Sequence, residues 1–330
     1  MTDRIRWGIA ATGGIAASFA EGLAQTPDAE LVAVASRSQE RADAFGDRFA
    51  VPRRHSSYAA LADDDGVDVV YVASPQSRHV DDVLLFLDAG RAVLCEKPFA
   101  LDRAQATRMV EAARARDVFL MEAMWSRFLP AYVRLRELLA EGRIGEPRLV
   151  EADFGFRLPD EATGHRLLDP DLGGGGLLDL GVYPVQLCSL VLGVPDRVGA
   201  VGHVGPSGVD EQVAAVLGHP GGAVGVVKAA VRTPMASTAR IAGTEGVVEL
   251  PAMMHCPGAL RVVSASGIED LDLPIEGQGL RYQVPEVHRC LREGRRESDV
   301  MALDETLSTM GTLDRIRTEV GIHLPGSDLV

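Results

Sequence analysis

The run Val93-Leu94-Cys95-Glu96-Lys97-Pro98-Phe99 drives an apolar strand into two opposite charges and then a proline that ends it. Lysine and glutamate are seldom buried without partners. The carboxyl edge of an open α/β sheet is where ligands bind, so Lys97 reads as a catalytic residue beside a dinucleotide. The plain alternative is an ion pair at a strand end, and Glu96 in particular suits a brace for the turn into Pro98. A second pair with chemical content is Asp179 and Tyr183, four apart and therefore on one face of a helix. A tyrosine next to a lysine can exchange protons near neutral pH, because the cation stabilises phenolate and lowers its pKa. Each has an ordinary reading too: a core tyrosine with its hydroxyl satisfied, and an aspartate charging the first turn of its helix. The glycines at 173–176 just before them permit a close approach of backbone to ligand.

The elements that position Lys97 form a repeating strand–helix pattern. Residues 5–10 read as a short buried strand, followed by Ala11-Thr12-Gly13-Gly14-Ile15-Ala16 and a helical run through Phe19, Leu23 and Ala24. That is the context of a G-x-G-x-x-G dinucleotide fingerprint, although Ala11 and Ala16 hold the first and third glycine positions and only Gly13 is strictly kept. A tight strand-to-helix turn would read alike. NAD-binding halves usually end their second strand in an acid that takes the ribose hydroxyls. Here the strand at 31–35 ends in Ser36-Arg37-Ser38-Gln39-Glu40-Arg41, with no acid at its tip. Arg37 and Arg41 one helical turn apart, with the hydroxyls including Ser36, suit a 2′-phosphate, which favours NADP over NAD. The strand at 67–73 runs into Ser74-Pro75-Gln76-Ser77-Arg78-His79, ordinary turn chemistry. Helices at 80–87 and 103–115 and strands at 92–95 and 118–121 complete a doubly wound parallel sheet of about six strands. This first domain is expected to span residues 1–122.

Residues 123–330 read differently. A helix at 128–140 and a strand at 148–156 precede a Gly-, Pro- and Asp-rich loop at 157–176, and long ordered loops are often functional. The helix expected at 177–192 contains Pro184, which predicts a kink. Strand-like runs follow at 198–203, 210–217, 223–232, 238–242, 247–250, 260–264 and 270–273. They predict an α+β domain with a large, mostly antiparallel open sheet. Helices near 281–293 and 304–319 close the chain, packing on the second domain or the junction.

The glycine turn, Ser74-Pro75-Gln76 with His79, and Glu96-Lys97-Pro98 together resemble the glucose–fructose oxidoreductase/inositol dehydrogenase/MocA family. The run Met121-Glu122-Ala123-Met124-Trp125-Ser126-Arg127-Phe128-Leu129-Pro130-Ala131 is similar to its dimeric dihydrodiol dehydrogenase branch, which includes NADP-dependent D-xylose dehydrogenases. So are the stretch from Gly173 to Pro184, Gly208-Val209-Asp210, and Cys290-Leu291-Arg292-Glu293-Gly294. The resemblance spans nearly the whole chain. It implies an NADP-dependent oxidoreductase of a sugar or cyclic diol, with Tyr183 as general acid/base, Lys97 orienting substrate and nicotinamide, and Asp179 as polar support or hydroxyl acceptor. It implies cofactor contacts from Thr12, Gly13, Gly14, Ile15, Ser36, Arg37, Arg41, Ser74, Pro75, Gln76, His79, Glu96, Lys97 and Arg166. The family's Trp-Arg pair is His165-Arg166 here, so only Arg166 is carried over. Trp125, Arg127, Phe156 and Arg157, with Phe154, offer aromatic faces and donors to a ring or sugar; Arg127 would equally suit a cofactor phosphate. An inositol- or anhydrosugar-type enzyme and an idle NADP-binding sensor are the other readings. The family's open sheet face implies a homodimer or tetramer, and Val224, Val226 and Ala229 would fit such a face, or one side of an ordinary core.

Bulk properties narrow the partners. The 330 residues carry a formal net charge of −14, with 46% apolar and 24% charged residues. That balance is ordinary for a globular chain and argues against nucleic acid and anionic lipid. Cys95, Cys188, Cys256 and Cys290 lie far apart, and the histidines at 165, 203, 219, 255 and 288 lack metal-ligand spacing, so no metal is expected. Met1-Thr2-Asp3-Arg4 leads into a strand without a signal peptide, and no apolar run reaches bilayer length. A cytoplasmic enzyme is the expectation.

Overall fold

Short apolar runs alternating with amphipathic helices can bury both faces of a sheet when each crossover returns on the same hand. The computed structural model, which describes residues 4–159, 161–162 and 164–329, shows this for the first part of the chain. The elements are β1 (Ile5–Ala10), α1 (Gly14–Ala24), β2 (Ala29–Ala35), α2 (Gln39–Phe49), β3 (Arg53–His55), α3 (Tyr58–Ala62), β4 (Val69–Val72), α4 (His79–Asp88), β5 (Ala92–Glu96), α5 (Arg103–Arg116) and β6 (Leu120–Ala123). The strands lie in the order β3-β2-β1-β4-β5-β6, and every pairing is parallel. Order reverses between β1 and β4, the switch point at which such sheets take ligands. Trp7, Ile9, Val34, Val70, Leu94 and Met121 fill the core. β3 and α3 escape a reading by pattern, since β3 is three residues of Arg, Arg and His with no apolar alternation.

The second part is built on α6 (Pro130–Ala140), β7 (Pro147–Gly155), α7 (Val182–Leu192), β8 (Arg197–Val204), β9 (Asp210–Gly218), β10 (Val224–Ala230), β11 (Ala239–Gly243), β12 (Gly246–Leu250), β13 (Ala259–Ser264) and β14 (Gly267–Asp272). The eight strands run in the order β14-β13-β12-β11-β7-β10-β9-β8. All pairs are antiparallel except β7 with β10. α7 and the turn just before it cover one face so closely that a Cβ on Gly225 would lie 3.0 Å from Cys188 Sγ and one on Gly181 3.2 Å from the Ala229 Cβ. Side chains alternate along a strand, so Gly225, Val227 and Ala229 face the helix, and Val224, Val226 and Lys228 face away. This corrects the grouping of Ala229 with the two valines on the open face.

The kink expected at Pro184 falls earlier. Leu177–Gly181 form a π-helical turn before α7 begins. Proline lacks the N–H that would bond the Leu180 carbonyl, and its ring crowds that carbonyl. One stretch also departs from the expectation about apolar runs. Pro170–Leu192 is 23 residues long and apolar enough to cross a bilayer by length and composition, but 78% of its apolar window is buried inside the protein, as in a core helix.

By contacts the chain forms two compact units. One holds residues up to Ala100, Ala104–Arg127 and Glu276–Thr306; the other holds Leu101–Arg103, Phe128–Ile275 and Leu307 onward. A division at residue 122 would leave 276–306 with the second unit. Instead α8 (Val284–Arg292) packs on the parallel sheet, where the indole N–H of Trp7 donates to His288 Nε2 at 3.0 Å. The Leu120 N–H also donates to the Arg296 carbonyl at 3.1 Å. The last helix, α9 (Leu303–Val320), passes from one unit into the other. Met1–Asp3, part of the N-terminal expectation, lie outside the described residues.

Candidate active site

In the first unit, the candidate cofactor residues gather at the carboxyl ends of β1, β2, β4 and β5. Ala11 has φ +101°, a conformation natural to glycine at the first fingerprint position and costly for a residue with a Cβ. Replacing Ala11 with glycine should therefore stabilise the protein by about 1 kcal/mol net of glycine's chain entropy. Thermal unfolding would show it; a lowered Tm would mean that the backbone carries no strain there. Gly13 precedes α1 with no side-chain cap, no acid stands in the first turn, and a Cβ on Gly13 or Gly14 would meet nothing within 4 Å. Thr12 is half-buried and Ile15 is exposed, so backbone N–H groups face open space at a helix N-terminus, where anions bind.

At the tip of β2 the arginines and serines part company. Ser38 accepts the Arg41 N–H at 3.4 Å as the cap of α2, and Ser36 Oγ accepts the Ser38 N–H at 3.4 Å. Those hydroxyls already serve the backbone. Arg37 and Arg41 are exposed, and among the described residues neither side chain makes a hydrogen bond or salt bridge.

The tips of β4 and β5 are tied together. His79 is 1% exposed, with Nε2 at 2.9 Å from the Ser74 carbonyl and Nδ1 at 3.0 Å from that of Pro98. Burial holds its pKa below the ordinary value, and the Lys97 charge adds to this. His79 thus braces the Ser74-Pro75-Gln76 turn against the Lys97–Pro98 turn instead of presenting a surface to a cofactor. Pro75 is exposed and Gln76 buried. The Lys97–Pro98 peptide bond is cis, and Lys97 is half-buried. Glu96 is 5% exposed and accepts the Tyr71 hydroxyl, whose ring stacks on Phe19 at 3.8 Å. It is scaffold beneath Lys97.

A buried carboxylate that the sequence reading passed over lies on the next strand. Glu122 is 1% exposed, accepts the Thr306 hydroxyl at 2.8 Å through Oε2, and leaves Oε1 without a hydrogen bond. Burial pushes its pKa from 4.5 up to about 7. Between those values the unfolded chain releases a proton that the native state keeps, so this group's contribution to stability is present below 4.5 and lost as pH rises through about 7. Glu122→Gln should raise stability at pH 8 by on the order of 2–3 kcal/mol, the gain shrinking toward acid pH. Denaturant unfolding at several pH values checks it; a pH-independent difference would contradict it.

Arg127 moves out of the substrate set. It is 1% exposed, pairs with Glu305 through both terminal nitrogens, and donates to the Val300 carbonyl at 3.1 Å. Removing it would take a bidentate partner from the Glu305 carboxylate. Trp125 is half-buried, lying so close over Gly279 that a Cβ there would come within 2.7 Å of its ring.

The second unit brings together Arg166, Asp179 and Tyr183. Arg166 donates to both Asp179 oxygens, at 3.1 and 3.2 Å, and Asp179 is 5% exposed. The glycine run serves backbone contacts: a Cβ on Gly174 would lie 2.7 Å from the Arg166 carbonyl, and Gly174 and Gly175 donate to the Asp169 and Leu167 carbonyls at 2.9 Å each. Tyr183, 4% exposed, meets Phe154 edge-on at 5.7 Å and His255 at 4.9 Å, and His255 stacks on Phe154 at 4.3 Å. His255 is delivered by a turn in which Met253 has φ +65°, the Met254 N–H donates to the Ser237 carbonyl at 2.8 Å, and the Tyr132 hydroxyl donates to the Met254 carbonyl at 3.0 Å. Sequence reasoning found nothing at His255 beyond its lack of metal spacing. Phe156 and Arg157 are exposed just beyond β7.

A parallel sheet in 3-2-1-4-5-6 order, with an uncapped helix N-terminus at its switch point, defines the dinucleotide-binding class of fold. Family models agree: residues 5–124 match the oxidoreductase family NAD-binding Rossmann fold and residues 132–249 the GFO/IDH/MocA C-terminal domain. The chain belongs to the Gfo/Idh/MocA family and is an NAD(P)-dependent oxidoreductase. It is 39% identical to the trans-1,2-dihydrobenzene-1,2-diol dehydrogenase of Mus musculus, the match covering 97% of this chain and 98% of that one. Among solved structures it is similar to a 3-ketoreductase from Actinomadura kijaniata in complex with NADP and TDP-benzene, with TM-score 0.85, 28% identity, and 96% and 98% of the two chains covered. An aldose–aldose oxidoreductase from Caulobacter crescentus shares the fold at TM-score 0.87 and 24% identity, again covering 96% and 98%.

Proposed function

We propose that the protein oxidises a hydroxyl of a cyclic trans-diol or a sugar with NADP, or runs the reverse reduction. The near-full-length likeness to a dihydrodiol dehydrogenase is the observation that carries the substrate class; D-xylose-type sugars come next, then inositols and anhydrosugars. The residues present fit NADP: Gly13 and Gly14 leave the α1 N-terminus open to a pyrophosphate, and Arg37 and Arg41 stand at the β2 tip where a ribose-binding acid is missing. Ile15, Thr12, Ser74, Pro75 and Gln76 would complete the cradle. When bound, NADP supplies the hydride acceptor.

The chain's own groups supply the rest. Tyr183 takes the hydroxyl proton, with Lys97 hydrogen-bonding the same oxygen and favouring phenolate. Asp179, fixed by Arg166, orients a second hydroxyl. The stacked Phe154 and His255 rings beside Tyr183 suit the face of a ring substrate, and Trp125, Phe156 and Arg157 are further proposed contacts.

The open sheet face supports a homodimer or tetramer. Val201, Val216 and Ile268 are 74%, 53% and 69% exposed there. Beside them the register aligns Glu151, Arg240, Glu249, Arg261 and Asp270 across five strands. A cytoplasmic location is in keeping with four free thiols. The test is NADPH formation from trans-1,2-dihydrobenzene-1,2-diol, D-xylose, inositols and anhydrosugars. Turnover with one class supports the reading, and tight NADPH binding without turnover would replace it with a non-catalytic sensor.

A further inference from the structure

Gly208-Val209-Asp210 leads into β9, whose first residue is Asp210. Asp210 is 2% exposed. Its Oδ2 accepts the Leu177 N–H at 2.6 Å. The space is closed around it: a Cβ on Gly175, which has φ +124°, would lie 2.2 Å from Oδ1, and one on Gly176 3.3 Å from Oδ2. Leu177 begins the π turn that carries Asp179 and leads into α7 with Tyr183. A helix cap usually comes from the residue just before the helix. Here the acceptor comes from a strand 33 residues away, so it ties the helix to the sheet.

We propose that Asp210 is a positioning residue, a clamp that holds the start of the Tyr183 helix against β9 and thereby sets the orientation of Asp179 and Tyr183. This rests on the assignment of Tyr183 as the proton-transfer group. A carboxylate accepts the Leu177 N–H through either oxygen, whereas an asparagine has one acceptor oxygen and must place its NH2 where the other stood, either toward Leu177 or into the closed space beside Gly175. Burial pushes Asp210 up to about 7, against the pull of the Leu177 N–H and the Arg317 charge. Arg317, on α9 and 1% exposed, has Asp314 at 3.6 Å and interacts with Asp102. The clamp therefore loses charge as pH falls through about 7, and the ionised form is the one that folding disfavours.

Asp210→Asn, made in the full chain and assayed with NADP and trans-1,2-dihydrobenzene-1,2-diol, should lower kcat about tenfold, the worth of one hydrogen bond to a charged group. NADPH affinity should hold, Tm at pH 8 should not fall, and the limb of kcat near pH 7 should flatten. Gly175→Ala, whose Cβ displaces the carboxylate, should reproduce the loss of kcat. Unchanged kcat and pH profile in both variants would overturn the clamp, as would a loss of rate that only follows a loss of Tm. Amide exchange at Leu177 separates the two layers: protection lost in Asp210→Asn supports the clamp even if Tyr183→Phe shows the tyrosine to be idle. Protection retained contradicts the clamp.

Discussion

Tyr183→Phe is expected to lower kcat by about 10²–10⁴-fold, the usual worth of a positioned acid–base group, with NADPH affinity unchanged. The substitution is clean because of what surrounds the ring. Tyr183 is 4% exposed and meets Phe154 at 5.7 Å and His255 at 4.9 Å, contacts that phenylalanine repeats. The variant loses the hydroxyl and keeps these ring contacts, and an unchanged Tm would assign a lost rate to the missing hydroxyl and not to a damaged core. Comparison of kcat with KM sharpens it, since a group needed only in the transition state lowers kcat and kcat/KM together. A raised KM with kcat intact would reduce Tyr183 to a binding residue.

Arg37→Ala is expected to weaken NADP binding roughly ten- to a hundredfold while moving NAD binding little. A hydrogen bond from a guanidinium to a phosphate contributes about 1.5–3 kcal/mol, and every 1.4 kcal/mol is about a factor of ten. Arg37 makes no hydrogen bond or salt bridge among the described residues, so its removal costs the fold nothing there. The loss should shrink as salt rises, because exposed charges are screened. Titration of both cofactors at two salt concentrations measures all three quantities. Equal weakening of NADP and NAD would remove the 2′-phosphate role from Arg37.

Both sheets, β3 apart, are legible in the sequence because their strands carry strong patterns: unbroken apolar runs in the parallel sheet, and alternation between turn residues in the second. What is not legible depends on contacts distant in sequence. Arg127 has the right residue type for a substrate contact, and only the fold reveals Glu305 as its partner. His79 sits in a motif beside the cofactor turn, yet its ring spans two turns and is sealed from solvent. His255 reaches Tyr183 from 72 positions along the chain through a turn with a strained Met253, and no periodicity announces such an arrival. Ala11 shows the opposite case: a departure from the glycine pattern in sequence, with the glycine conformation retained in the backbone. Glu96 and Lys97, adjacent charges in sequence, separate into a buried brace and a half-buried cation.

We propose that Lys97 and Tyr183 act together on the substrate hydroxyl. A double-mutant cycle on kcat tests it most directly, with Lys97→Met, Tyr183→Phe and both together, under saturating NADP and trans-1,2-dihydrobenzene-1,2-diol. Residues that work as one device are strongly non-additive, so the double variant should be no slower than the slower single variant. Losses that multiply across the two positions would contradict the claim, because they would mean that lysine and tyrosine contribute independently.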